Sequence, residues 1–164
     1  MGHKEIQKVY SRLSNWWVGK KTYDGKGYKI MKRKISINKK SIGFGCAVYI
    51  IAEMSANHGQ SYDEAVKIIH AAKKAGADAV KLQTYTPDTI TIDCKNKYFQ
   101  IGEGSLWEGR NLYDLYKEAY TPWEWQPKLK KVANDLGMDL FSTPFDNTAV
   151  DFLENMNVPA YKIA

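Results

Sequence analysis

Four short apolar runs, spaced by stretches of helical period and with no hairpin signal between them, constrain this chain's fold most. They are VYIIAEM (48–54), AVKLQTY (79–85), DLFSTPF (139–145) and AYKIA (160–164). Each has strand length and is rich in β-branched or aromatic residues, as strands buried on both faces are. Strands that alternate with helices and lack tight turns pair in parallel through right-handed crossovers. The order β-α-β-α-β-α-β therefore predicts an α/β fold.

The intervening segments carry their own start and stop signals. Ser61 followed by Asp63 and Glu64 supplies a cap and an acidic first turn. Ala65, Ile68, Ile69, Ala72 and Ala75 follow at helical spacing, and Gly76 ends the helix. Residues 111–120 and 122–136 read as two further helical stretches, the second with Pro122 near its start and Gly137 after it. Asp146 opens a last helix with Ala149, Phe152, Leu153 and Met156 on one face. Between the second strand and the second helix, residues 86–110 form a long polar and aromatic connection with no clear element.

Charge divides the chain. Residues 1–40 carry 12 Lys/Arg against 2 Asp/Glu and the rest 12 against 16, so the net +6 combines a leader at +10 with a body at −4. Residues 1–40 read as a basic leader without regular structure, with Met31 a natural start for the body at 41–164. A basic pI confined to a leader does not argue for nucleic-acid binding. Cys46 and Cys94 have no metal or redox spacing. No run is long enough to span a membrane, and the N-terminus lacks a secretory signal, so a cytoplasmic location is expected.

The chemistry gathers where the strands end. Lys and Glu are almost never buried unless paired or used, yet Glu53, Lys81, Gln83, Ser142, Thr143 and Lys162 all fall within or at the ends of the apolar runs. Where parallel strands close into a barrel, their carboxyl ends and following loops build the site. Two lysines and one carboxylate leave it net positive, suited to an anion such as the phosphate ester of a carboxylic acid. Each residue alone also has a plainer role. Glu53 and Lys81 would make a structural ion pair, and Ser142-Thr143-Pro144 would end a strand. His58 would be a hydrogen-bonding loop residue rather than a metal ligand. The aromatic stretch 113–125 suits helix packing better than base stacking.

YIIAEMSANHG, GADAVKLQTY, LFSTPFD and YKIA, in this order, resemble the signature segments of the sialic acid synthase family. NLYDLYKEAYTPWEWQPKLK is most similar to the branch that makes pseudaminic acid. The resemblance runs from about Ser41 to the last residue. It implies the first half of a TIM (β/α)8 barrel, four βα units with the last helix missing. It also implies an antifreeze-like domain beyond the segment seen here, and a homodimer of the full-length protein. The implied reaction condenses phosphoenolpyruvate with the aldehyde of an N-acetylated amino sugar, giving a nine-carbon nonulosonic acid. A divalent metal, manganese or magnesium, would act as Lewis acid through ligands absent from this segment. By position, Lys81, Thr143 and Lys162 match residues that hold phosphoenolpyruvate, and Glu53 matches the catalytic carboxylate facing the sugar. Asn57, Gln83 and Ser142 are further substrate-binding candidates. The resemblance leaves open a neuraminate or legionaminate synthase, and a non-catalytic fragment or interaction module. The segment alone is expected to be inactive.

Overall fold

Pairing decides where the apolar runs become strands. The computed structural model describes the backbone of residues 21–23 and 28–30, and residues 34–102, 104 and 107–163. The chain divides into two compact units, Met1–Val48 and Tyr49–Ala164.

In the first unit, β1 (Lys21–Tyr23) pairs antiparallel with β2 (Tyr28–Ile30), and β3 (Ile35–Ile37) with β4 (Lys40–Ile42). The leader is therefore not irregular throughout, and the second hairpin runs across the boundary expected at residue 40. Its turn places Asn38 in the left-handed region at φ 49°, a conformation Asn tolerates better than most residues. The expectation for 1–20, 24–27 and 31–33 lies outside the described residues.

In the second unit, β5 (Ile51–Glu53), β6 (Ala79–Thr84) and β7 (Asp139–Pro144) form a parallel sheet in that order. The register sets Glu53 beside Lys81, Lys81 beside Phe141, and Gln83 beside Thr143. Pairing of β5 begins only at Ile51, and Val48 is 82% exposed, so the first strand is shorter than its apolar run. The expected fourth strand is reduced to a parallel bridge between Ser142 and Tyr161, with the Lys162 N–H donating to the Ser142 carbonyl at 3.1 Å. Its last residue, Ala164, lies outside the described residues.

Helices α1 (Tyr62–Lys74), α3 (Leu112–Ala119), α4 (Gln126–Asp135) and α5 (Asn147–Asn155) follow the predicted segments, and α2 (Pro87–Ile90) is not among those predicted. Ser61, Asn111 and Asp146 cap α1, α3 and α5 by accepting backbone N–H bonds. Gly76 and Gly137 leave α1 and α4 at φ 88° and 71°, where a side chain would be strained. The 86–110 connection holds more structure than expected: α2, a 3-10 turn at Lys97–Phe99 and a bridge from Gln100 to Asn111.

The core lies where alternate strand residues meet the helices. Met54, Val80, Leu82 and Leu140 pack with Ile69 of α1 and Leu129 of α4. Ala79 and Phe141 pack with Leu153 of α5 and with Val158. At the amino ends of the strands, Asp78 accepts the Ile50 N–H at 2.8 Å, and Asp139 accepts the Tyr49 hydroxyl at 2.5 Å. These carboxylates fix one end of the sheet and leave the other for the site.

Candidate functional site

Parallel register builds the centre of the site. Glu53 ends β5 and is the register partner of Lys81, the third of the six residues of β6 rather than its last, and Lys81 Nζ lies 2.7 Å from Glu53 Oε1. The lysine side chain is 10% exposed and the carboxylate 60% exposed. The pair thus holds a nearly buried cation against a carboxylate that water still reaches. Lys81 holds the Glu53 carboxyl below the usual carboxylate range, first by its hydrogen bond and then by its charge. Lys162 lowers it further by its charge, which places this lysine in the same electrostatic neighbourhood.

Gln83 and Thr143 are register partners one step beyond Lys81 on the same side of their strands. Thr143 is buried, Gln83 is half-buried and Lys162 is exposed. Asn57 stands in the loop after β5, its side-chain amide donating to the Met54 carbonyl at 2.9 Å. The structure thus gathers Glu53, Lys81 and Lys162, sets Gln83 and Thr143 beside them, and places Asn57 at the edge.

Ser142 goes elsewhere. It alternates with Thr143 and so faces the other side of β7. There Thr84 donates its hydroxyl proton to Gln126 Oε1 at 2.8 Å, so Ser142 donates to Thr84 Oγ1 at 2.6 Å. All three side chains are fully buried. This polar chain joins β6, β7 and the first turn of α4, and it holds Ser142 away from the other candidates. Strand alternation was the available signal, since two adjacent strand residues cannot share one side.

His58 is 1% exposed. The Gln60 N–H donates to its Nδ1 at 3.2 Å, so the ring proton sits on Nε2 and is donated to Thr121 Oγ1 at 3.0 Å. This neutral ring also stands edge-on to Trp125, with centroids 5.7 Å apart. Burial pushes the His58 pKa down. As pH falls through about 6.5 the unfolded chain therefore takes up this proton first, and stability declines. Urea-unfolding free energies measured from pH 8 to pH 5 should fall below that point, and His58→Gln should flatten this part of the curve. An unchanged slope in the variant would assign the effect to other groups.

Among the described residues no group of three or more His, Cys, Asp or Glu is placed to hold a metal ion. The described side chains by themselves therefore do not fit a divalent-ion site. No helix among them is long and apolar enough to cross a membrane. A cavity of about 680 Å³ lies away from the strand ends, lined by Lys95, Arg110, Asp114, Lys117 and Glu118 among others. Its three cations face two carboxylates, the same net charge as Lys81 and Lys162 with Glu53, and Arg110 is tied to Glu118 at 2.5 Å. The strand group differs in holding a nearly buried cation, Lys81, which gives it the better claim to an anion.

The profile described as the NeuB family matches residues 68–164, a span that holds Lys81, Gln83, Thr143 and Lys162. The pseudaminic acid synthase of Campylobacter jejuni is 50% identical over 117 residues, covering 71% of this chain and 34% of that protein. The pseudaminic acid synthase of Helicobacter pylori is 49% identical over 115 residues, covering 70% and 34%. Among solved structures, an N-acetylneuraminic acid synthetase from Leptospira borgpetersenii superposes with a TM-score of 0.66 at 27% identity. That match covers 80% of this chain and 41% of the other. The chain spans about a third of the length of the curated relatives it matches. With the family profile covering more than half of it, the chain belongs to the NeuB family, the sialic acid synthase family that its motifs resemble.

Proposed function

We propose that this chain carries the phosphoenolpyruvate-binding part of a pseudaminic acid synthase. The whole protein would join phosphoenolpyruvate to the open-chain aldehyde of an N-acetylated amino sugar and release phosphate. The observation that carries this reading is the Glu53–Lys81 pair at 2.7 Å. It joins the carboxyl end of β5 to β6, in a segment of 117 residues that is 50% identical to a synthase named for that product.

Physical roles follow from the environments. Lys81 and Lys162 act as point charges on the phosphate and carboxylate of phosphoenolpyruvate, and the Thr143 hydroxyl adds a directional donor. Before the ligand arrives, Glu53 serves as counter-ion to Lys81. A carboxyl held low is a weak base at neutral pH. Glu53 is therefore assigned to accepting hydrogen bonds from sugar hydroxyls rather than to proton abstraction. Gln83 and Asn57 line the edge of the same site. The three strands and the Tyr161 bridge are read as the first half of a (β/α)8 barrel. A divalent ion, when bound, would polarise the aldehyde oxygen; the described residues do not hold it. The complete protein is read as a cytoplasmic homodimer.

Phosphate release by the complete protein tests the reading, with phosphoenolpyruvate and the aldehyde precursors of pseudaminic, legionaminic and neuraminic acid supplied in turn. Release with the pseudaminic precursor is expected. Release only with another precursor would move the protein to that branch, and none with any of the three would overturn the proposal.

A further inference from the structure

The loop that follows Glu53 is held in a conformation its residues do not favour. Ser55, Gly59 and Gln60 have φ of 48°, 53° and 58°, and two of the three are not glycine. Such residues keep left-handed geometry only where their surroundings over-determine it, and they collect at functional sites. Three successive turns bonds lie along this loop: Asn57 N–H to the Met54 carbonyl, Gly59 N–H to Ala56, and Ser61 N–H to His58. None of these bonds reaches another element.

The side chains that do reach one are His58 and Gln60. The imidazole spans from the Gln60 N–H to the Thr121 hydroxyl, and the Gln60 amide donates to the Tyr120 carbonyl. Tyr120 is the residue that caps the end of α3, and Thr121 leads into the Trp123–Trp125 turn before α4. The loop after β5 is thereby pinned to the junction that follows the long connection from β6. Glu53 is two residues before this loop and Lys81 is on β6, so one imidazole ties together the loop of one charged partner and the excursion of the other. The Met54 N–H donates to the Lys81 carbonyl at 3.1 Å, immediately beside the charge pair.

We propose that His58 is a positioning residue, a latch that holds the 55–60 loop against Thr121 and so fixes Glu53 and Asn57 for ligand binding. Its effect on the ligand rests on the phosphoenolpyruvate reading above, whereas its effect on the loop does not.

Two measurements on the complete protein separate these parts: amide hydrogen exchange residue by residue, and phosphoenolpyruvate affinity of the folded protein. In His58→Ala, exchange at 55–60 should rise about tenfold, as for the loss of one hydrogen bond to a buried group, with Val80 and Leu82 unchanged. Affinity should weaken by a similar factor. His58→Gln places an amide donor where Nε2 stood and should restore both to within about threefold. Thr121→Val removes the same bond from the other side with little change of shape, and should reproduce the loosening should His58→Ala fail to fold. Unchanged loop exchange in both Thr121→Val and His58→Ala would overturn the latch. A loosened loop with unchanged affinity would overturn the positioning role and leave His58 a structural residue. A wild-type protein that binds no phosphoenolpyruvate would sink the functional reading, and loop exchange alone would then decide the latch.

Discussion

Lys81→Met should abolish most phosphoenolpyruvate binding while leaving the fold intact. The methionine keeps the length of the apolar stem, so packing around a residue that is 8% exposed is largely preserved. What disappears is a nearly buried cation, and losing one partner of a desolvated charge contact costs about 2–5 kcal/mol. Affinity should fall on the order of 100-fold, equivalent to about 2.7 kcal/mol. Glu53 loses the neighbour that holds its carboxyl low, so its titration should move up toward the ordinary carboxylate range. Stability should change by no more than about 1 kcal/mol, because Glu53 is 60% exposed and water replaces its partner. Calorimetric titration and an NMR pH titration of Glu53 check the two halves separately. Undiminished affinity in the folded variant would remove Lys81 from the site.

Leu82→Ala should have the largest effect on stability. Leu82 lies on β6, the central strand, and is fully buried among Met54, Ile69, Leu129 and Leu140. Truncation removes apolar contacts and leaves a cavity under the sheet, at a cost of about 2–5 kcal/mol. Domains are stable by only about 5–15 kcal/mol in total, so the urea midpoint should drop steeply. Ile92→Ala is the control: that side chain is 59% exposed and its loss should stay within about 0.5 kcal/mol. A cost below about 1 kcal/mol for Leu82→Ala would mean that the cluster around β6 is not the core of this unit.

The elements were legible where one local signal decided them. Ser61 and Asp146 announce helix starts through their own side chains, and the runs around Val80 and Leu140 announce buried strands through their apolar density. The ends of the first and fourth runs were not legible, because a strand exists only where a neighbour pairs with it. Val48 has the composition of a strand residue but lies before the paired segment, which opens at Ile51. The hairpin at Ile35–Ile42 was hidden for a related reason: its charged residues read as a solvated tail, while its turn depends on the backbone of Asn38.

The site divides in the same way. The Glu53–Lys81 contact could be anticipated from two charged residues in successive apolar runs, and the register supplies its geometry. The buried chain from Ser142 through Thr84 to Gln126, and the bond from His58 to Thr121, join residues 42 to 63 positions apart. No local pattern encodes such partners. Ser142 is the instructive case, since period-two alternation alone separates it from Thr143.

The most direct test is a titration of the complete, isotopically labelled protein with phosphoenolpyruvate, followed at the lysine amines and the Thr143 methyl group. Saturable shifts at Lys81, Lys162 and Thr143 are expected, with the Glu53 carboxyl moving as the ligand takes its place beside Lys81. Shifts confined to Lys95, Arg110 and Lys117, with those strand-end residues unmoved, would put the anion in the other cavity and contradict the assignment.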